Sequence, residues 1–346
     1  MTPLRLLLLA CLTTLPWRLA GEAVFAPRVM IVATFEIGAD RGDKPGEFQY
    51  WAERENLTNT VAVPGLSHPL VHDGRGVWGM VSGTTVRSGL NLLTLGLDPR
   101  FDFRRTYWLV NGIAGVDPED ASVASAAWAR HVIDGDIAYE IDSREAPADW
   151  PYGVVPIGGK RPNEKPAGAD WAPKPMVWTL NPGLVEWAFQ STRTVAIPEN
   201  EPMRKLRAAF EGFPNAQRPP FVLLGDSFAS CRYWHGATLN QWANDWARLH
   251  GGPAANYVMT NMEDHGLAAA LARLHELGRA DFQRLLVLRT GSNYSRPPGN
   301  QGVADSMTAE YQGLIPALEA AHRVGSPIVH ALVRNWDRYS TQTPRP

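Results

Sequence analysis

The sequence predicts an α/β protein, one domain built on a mostly parallel sheet. Three observations carry this. Short apolar runs of strand type alternate with stretches of helical periodicity almost throughout. No internal repeat and no long polar linker divides the chain. Its 346 residues, 45% hydrophobic and 20% charged, suffice for one sizeable core.

The first residues read as an export signal. Arg5 precedes the apolar run Leu6 to Leu12, which breaks near Pro16-Trp17, and Ala23 is the expected cleavage point. Residues 1–23 are therefore expected as a signal peptide and 24–346 as the folded domain. The run is shorter than the roughly 20 apolar residues that span a bilayer, and no later run reaches that length. A periplasmic or secreted location is expected. A lipoprotein box at Leu8-Leu9-Ala10-Cys11 is the weaker alternative, because the apolar run continues past Cys11. No twin-Arg pair appears, so general secretion is the simpler route.

Arg28 to Phe35 reads as a buried strand, followed by a short helix from Phe48 to Leu57. Val77 to Ser82 is the next strand. The small-residue turn Gly83-Thr84-Thr85 leads into a Leu-rich helix from Val86 to Leu97. Such a turn can aim backbone N–H groups at an anion, although it is neither a P-loop nor GxGxxG, and a plain β–α corner explains it as well. Thr106 to Val110 is a third strand, with Asn111 to Pro118 as a small-residue turn after it. Ser122 to Ile141 has β character. Pro147 to Pro175, rich in Pro, Gly and charge, is expected as an excursion or lid. Helices follow around Leu184 to Thr192 and Glu201 to Phe210.

Phe221 to Leu224 is expected as a strand ending at Gly225-Asp226-Ser227. A helix then carries Trp242 and Trp246, four apart on one face and expected in the core. Glu263 and Asp264 open a helix with Leu267, Leu271 and Leu274 at helical spacing. A strand runs to Arg289 and ends in Thr290-Gly291-Ser292-Asn293, and a last helix covers Ser306 to Val324. Polar residues thus gather at one helix start and at the end of the next strand, the edge where open α/β sheets bind ligands.

Composition narrows the partners. A net charge of −2 marks neither nucleic acid nor an anionic membrane surface. Thirteen Trp supply apolar-aromatic area for a core or for stacking on a flat ligand. Once the signal is removed, Cys231 stands alone, expected as a small buried apolar residue without a disulfide. No Cys/His cluster has zinc-ligand spacing, so no metal is expected.

The chemistry on offer is selective. Gly225-Asp226-Ser227-Phe228-Ala229 approaches the nucleophile elbow G-x-S-x-G, but Ala229 replaces the last Gly, which disfavours a serine hydrolase. No strand is followed by a dinucleotide fingerprint. The remaining polar groups suit a neutral, flat, hydroxyl-rich ligand. Glu263 can accept hydrogen bonds from the two adjacent hydroxyls of a ribose, and Asn293 can donate to and accept from a purine edge. Met262 suits the sugar face, while Tyr233, Trp234 and His235 can stack on a base or close a pocket. Each has a plainer reading: core packing for Met262, Tyr233 and Trp234, a structural hydrogen bond for His235, a turn for Asn293.

The motifs converge on a family. Phe35-Glu36, Val63-Pro64-Gly65-Leu66, Gly112-Ile113-Ala114-Gly115-Val116, Tyr233-Trp234-His235-Gly236, Met259 to Asp264, and Leu288 to Asn293 occur in one order across the chain. So do Tyr139 to Glu145 and Arg323 to Pro327. In these stretches the chain resembles the purine nucleoside permease family, which in turn is similar to nucleoside phosphorylases. The resemblance implies a three-layer α/β/α sandwich with a mixed central sheet. It implies ribose contact by Met262-Glu263, purine contact by Asn293, and places for Arg289 and Glu36 in the binding site. It puts phosphate contact at Gly83-Thr84-Thr85, with Arg87 nearby, where many relatives carry Gly-Met-Gly.

Two functions follow as expectations. One is an exported purine nucleoside-binding protein that assists uptake, delivering to a membrane transporter, since no spanning helix or barrel pattern allows the chain itself to be a channel. The other is an enzyme cleaving the N-glycosidic bond, with phosphate as co-substrate or with water. Glu263 would then stabilise positive charge on the ribose. Asn293 can hydrogen-bond the leaving purine but cannot protonate it, which favours 6-oxopurines or binding alone. No other cofactor is expected, and a homo-oligomer is implied only by analogy.

Overall fold

The computed structural model describes residues 25–165, 174–308 and 312–346. The expected signal peptide lies outside the described residues, as do positions 166–173 of the expected lid. The strands are β1 (Val29–Ala33), β2 (Asn59–Val61), β3 (Leu70–His72), β4 (Val77–Val81), β5 (Tyr107–Val116), β6 (Ala126–Asp134), β7 (Ala138–Glu140), β8 (Val154–Pro156), β9 (Val177–Thr179), β10 (Val222–Ala229), β11 (Tyr257–Asn261) and β12 (Leu285–Tyr294). The helices are α1 (Gln49–Arg54), α2 (Val86–Leu97), α3 (Pro182–Thr192), α4 (Glu201–Ala208), α5 (Pro214–Gln217), α6 (Ala237–Gly251), α7 (Asp264–Glu276), α8 (Val303–Thr308), α9 (Leu314–Arg334) and α10 (Trp336–Tyr339).

One mixed sheet runs β11-β10-β6-β12-β5-β1-β4-β3-β2, with β9 on the flank of β6. The β1–β4, β1–β5, β5–β12, β6–β10 and β10–β11 pairs are parallel, whereas β6–β12 is antiparallel. The far end of β5 also pairs antiparallel with β11, through Gly115 with Thr260 and Val116 with Met259. Five strands, β11, β10, β6, β12 and β5, therefore close into a ring. All five β1 residues are buried, because helices cover the sheet and the strand has no wet face.

Helices supply the outer layers. α2 packs on α7, and α7 on β6 and β10; α9 packs on β1, β5 and β12 with α1 and α3 beside it. The α2–α7 crossing needs glycine. A Cβ on Gly89 would fall 2.7 Å from the Gly266 carbonyl oxygen, so the two backbones meet directly. Trp242 and Trp246 pack with Phe228 in the core, as their spacing predicts. No described helix is long and apolar enough to cross a membrane.

Several expected boundaries move. β5 does not stop at Val110 but continues through Gly112 and Gly115, because its small residues admit neighbouring backbone and side chains. β10 and β12 likewise run past Leu224 and Arg289, each with a register shift, at Asp226/Ser227 and at Gly291/Asn293. The last helix does not end before Pro327. α9 continues to Arg334, since buried Ile328, Val329 and Leu332 repay the lost backbone hydrogen bond. The β-rich stretch 122–141 splits into β6 and β7, and β7 pairs with β8 from the expected excursion. Tyr152 and Val154 there are buried, so this part of the excursion is anchored.

Candidate functional site

The C-terminal ends of β5, β11 and β12 surround a cavity of about 190 Å³. Two connections bring it side chains: the turn after β11, which carries Met262 and Glu263 into α7, and the segment 232–234 after β10. Ile113 to Gly115, Thr260 and Asn261 form much of the wall, and Thr34, Phe35 and Glu47 come from the end of β1 and the loop after it.

Asn261 organises the α7 start. Its side-chain oxygen accepts from the Glu263 and Asp264 amides at 3.1 and 2.9 Å, which satisfies donors the helix end leaves open. Its amide nitrogen donates to Ser227 Oγ at 2.7 Å and to Asp264 at 3.0 Å. Ser227 Oγ donates to Asp264 at 2.6 Å, so this serine is a buried strut and not a nucleophile.

Behind the cavity lies one buried cation. The Arg289 guanidinium forks onto Asp264, with Nε at 3.1 and 3.2 Å from its oxygens and Nη2 at 2.5 Å. Nη1 donates to the Ile113 carbonyl at 3.3 Å. Glu47 and Glu263 stand 3.7 and 3.5 Å from the same group. Three carboxylates thus share one guanidinium. Burial pushes the Glu263 carboxyl up to about 7; Arg289 pulls it down, and Glu47 and Asp264 push it further up. Glu47 is also raised by burial, against Arg289 and the hydrogen bonds it accepts from Thr34 and Ile113. Burial works against the Arg289 charge, but Asp264, Glu263 and Glu47 together hold it above the ordinary guanidinium value.

Glu47 ties the cavity walls together. Its Oε2 accepts from the Thr34 amide and hydroxyl at 2.8 and 2.6 Å, and its Oε1 from the Ile113 amide at 2.7 Å. Glu263 Oε2 accepts the Met262 amide at 3.1 Å, and its Oε1 makes no hydrogen bond among the described residues. Asn293 donates to Tyr233 Oη at 3.2 Å and accepts from Ser292 Oγ at 2.9 Å.

The structure sorts the expected site residues. Met262, Glu263, Asn293, Tyr233, Trp234 and Thr84 line the cavity. His235 lines an adjacent cavity of about 170 Å³, which shares Tyr233, Ser292 and Asn293, and its Nε2 is 3.0 Å from Ser306 Oγ. Arg289 is only 1% exposed and does not reach the cavity; it positions the carboxylates. Glu36 also stands off the lining. Its oxygens accept the amides of Ile37, Gly46, Phe48 and Gln49, which anchors the segment carrying Glu47. Gly83 and Thr85 shape the turn beside Thr84, both at positive φ, and Arg87 is exposed outside the lining. Cys231 is half-buried with its sulfur against His265, not sealed among apolar side chains.

Sequence reasoning missed Glu47 and Thr34; the small-residue stretch at 113–115, which permits close approach by a ligand or another strand, both lines the cavity and pairs with β11 through Gly115. Glu47 sits in an ordinary polar stretch, Pro45-Gly46-Glu47-Phe48. Only its approach to β5, 66 residues later, shows its place.

The model of the purine nucleoside permease family matches residues 26–344. The chain belongs to that family. Among its relatives is the purine nucleoside permease of Candida albicans, 27% identical over 331 residues, 91% of this chain and 77% of that protein. A Schizosaccharomyces pombe protein described as "Probable purine nucleoside permease" is 25% identical, covering 96% of this chain and 97% of its own length. Among solved structures, the 5′-methylthioadenosine/S-adenosylhomocysteine nucleosidases of Neisseria meningitidis and Helicobacter pylori both superpose with a TM-score of 0.53. They are 14% and 11% identical and cover 88% and 89% of this chain and 98% and 99% of their own. The family member described here therefore has the nucleoside phosphorylase-like fold, a central mixed sheet between helical layers.

Proposed function

We propose that this permease-family chain is an exported purine nucleoside-binding protein that takes part in nucleoside uptake. The carrying observation is Glu263. It lines the cavity with Oε1 uncommitted, beside Met262, in the same space as Asn293 and Tyr233. On this reading Oε1 accepts ribose hydroxyls, Met262 covers the sugar face, and Asn293 meets a purine edge. The family match and the nucleosides named for the relatives support the ligand class. Export rests on Arg5 and the apolar run after it.

Hydrolytic cleavage of the N-glycosidic bond is the second reading. Two carboxylates, Glu47 and Glu263, line the cavity and would stabilise a cationic ribose. Its only lining cation among the described residues is Arg232, which is exposed and ion-paired with Glu140. That supports water over phosphate as the acceptor. Asn293 supplies no acid for the leaving base, which is why binding stands first.

Calorimetry with inosine, guanosine and adenosine tests the binding reading. At least one should bind, and Glu263→Gln should weaken it roughly 10- to 100-fold, the worth of a charge-assisted hydrogen bond. No heat with any of the three would sink the assignment. Free hypoxanthine released from inosine without phosphate, and lost in Glu263→Gln, would establish the hydrolase reading instead.

A further inference from the structure

A second cluster lies at the same sheet edge, outside the nucleoside cavity. It joins Asp136 in the β6–β7 turn, Cys231 just past β10, and His265 in the first turn of α7. One ligand-type atom from each lies within 4.8 Å of the others. His265 Nε2 stands 3.1 Å from Asp136 Oδ2 and 3.4 Å from Cys231 Sγ. The Cys231 amide donates to both Asp136 oxygens, at 3.0 and 2.9 Å, which fixes the carboxylate beside the thiol.

From this geometry we infer that Asp136, Cys231 and His265 form a mononuclear site for a zinc-class divalent cation. Zinc holds imidazole at about 2.0–2.1 Å, carboxylate at about 2.0–2.2 Å and thiolate at about 2.3 Å. Tetrahedral placement at those radii sets neighbouring donor atoms about 3.4–3.6 Å apart. The two edges from Nε2, 3.1 and 3.4 Å, are close to that, and the carboxylate and sulfur lie within 4.8 Å of each other, so closing that third edge brings the three donors onto one ion. Thiolate, imidazole and carboxylate together suit a borderline-soft ion and not magnesium or calcium, which take oxygen ligands. One nitrogen, Nε2, faces both the carboxylate and the sulfur, while His265 Nδ1 is buried with no hydrogen-bond partner. The ring is thus oriented only by its contacts on the Nε2 side. Binding displaces the Cys231 thiol proton and any proton on Nε2 into solvent, and leaves the neutral imidazole protonated on Nδ1.

Three protein ligands leave a fourth position for water, and the Asp136 side chain is 27% exposed, so the site is open to solvent. It also adjoins the nucleoside site by chain connection: Arg232 follows Cys231 and lines that cavity, and Asp264, gripped by Arg289, precedes His265.

The test loads chelator-stripped, tag-free full chain with Zn²⁺ and measures bound metal after dialysis, then repeats it with Co²⁺. About one ion per chain is expected, with a sulfur-to-cobalt charge-transfer band in the near ultraviolet. Cys231→Ser should abolish that band, and His265→Gln and Asp136→Asn should each weaken Zn²⁺ binding at least tenfold. Circular dichroism checks that the variants fold, and the cobalt band of the unmodified chain reads the thiolate without any variant. No stoichiometric metal, or a cobalt complex without the thiolate band, would overturn the proposal and leave a hydrogen-bonded Asp–His–Cys cluster.

Discussion

Replacing Arg289 with Met tests whether the site frame depends on one buried cation. The change keeps a long apolar stem and removes the guanidinium. Asp264 loses the fork, and the Ile113 carbonyl loses a donor. Glu47, Glu263 and Asp264, all buried, are left without their shared counter-charge. Removing one partner of a buried ion pair costs about 3–5 kcal/mol, because the remaining charge must be neutralised or wetted. The unfolding entropy of a chain this size is about 0.7 kcal/mol per kelvin, so the melting temperature should fall by about 4–7 °C. Arg289→Lys should fall in between, since an ammonium keeps the charge and loses the fork. Urea unfolding of Arg289→Met, Asp264→Asn and the double variant is the assay. The double variant should cost less than the two single changes together by at least about 1 kcal/mol, because the first change already removes what the second disrupts. A loss under about 1 kcal/mol for Arg289→Met, or strict additivity, would refute the network.

Two further outcomes are expected. Gly112→Ala would set a Cβ against Glu47 Oε1 and 2.5 Å from Arg289 Nη1, so it should cost about 1–3 kcal/mol and weaken nucleoside binding; wild-type values in denaturant melts and calorimetry would show that the ion network yields freely. His250, on the last turn of α6 against Trp246, has a buried Nε2 without a partner, and burial pushes its pKa down from 6.5 to about 4. The unfolded chain therefore takes up this proton first, and the stability tied to neutral His250 is lost as pH falls from about 6.5 to about 4, by up to about 3 kcal/mol. His250→Leu should gain on wild type by most of that amount between pH 7 and pH 4.5 in urea titrations; an unchanged difference would contradict it.

The apolar periodicity shows why some of this was readable in the chain. Buried runs such as Val29 to Ala33 alternate with helices such as α2 and α7, and burying both faces of such a sheet requires helices on both sides. The paired Trp242 and Trp246 similarly declare a core face. Met262, Glu263 and Asn293 could be singled out because they lie at a helix start and beside a strand end, within stretches that resemble a known family.

Tertiary structure decided the rest. The residues that read as turns, Gly112 to Gly115, Gly225 to Ser227 and Thr290 to Asn293, are strand; Ile113 to Gly115, Ser292 and Asn293 line the cavity, and Ser227 braces Asp264 and Asn261 behind it. Local propensity cannot see the β5–β12, β5–β11 and β6–β10 pairings that hold them extended. Arg289 and Glu36 look like ligand contacts in one dimension, but the fold turns one onto Asp264 and spends the other on backbone amides. Glu47 and the Asp136–Cys231–His265 cluster carry no local spacing signal, since their partners lie between 13 and 242 positions away in the chain. The sequence by itself determined which faces must be buried and which stretches bear polar chemistry. Only the folded chain determined which charges share one buried guanidinium, because that depends on distances the sheet imposes between remote segments.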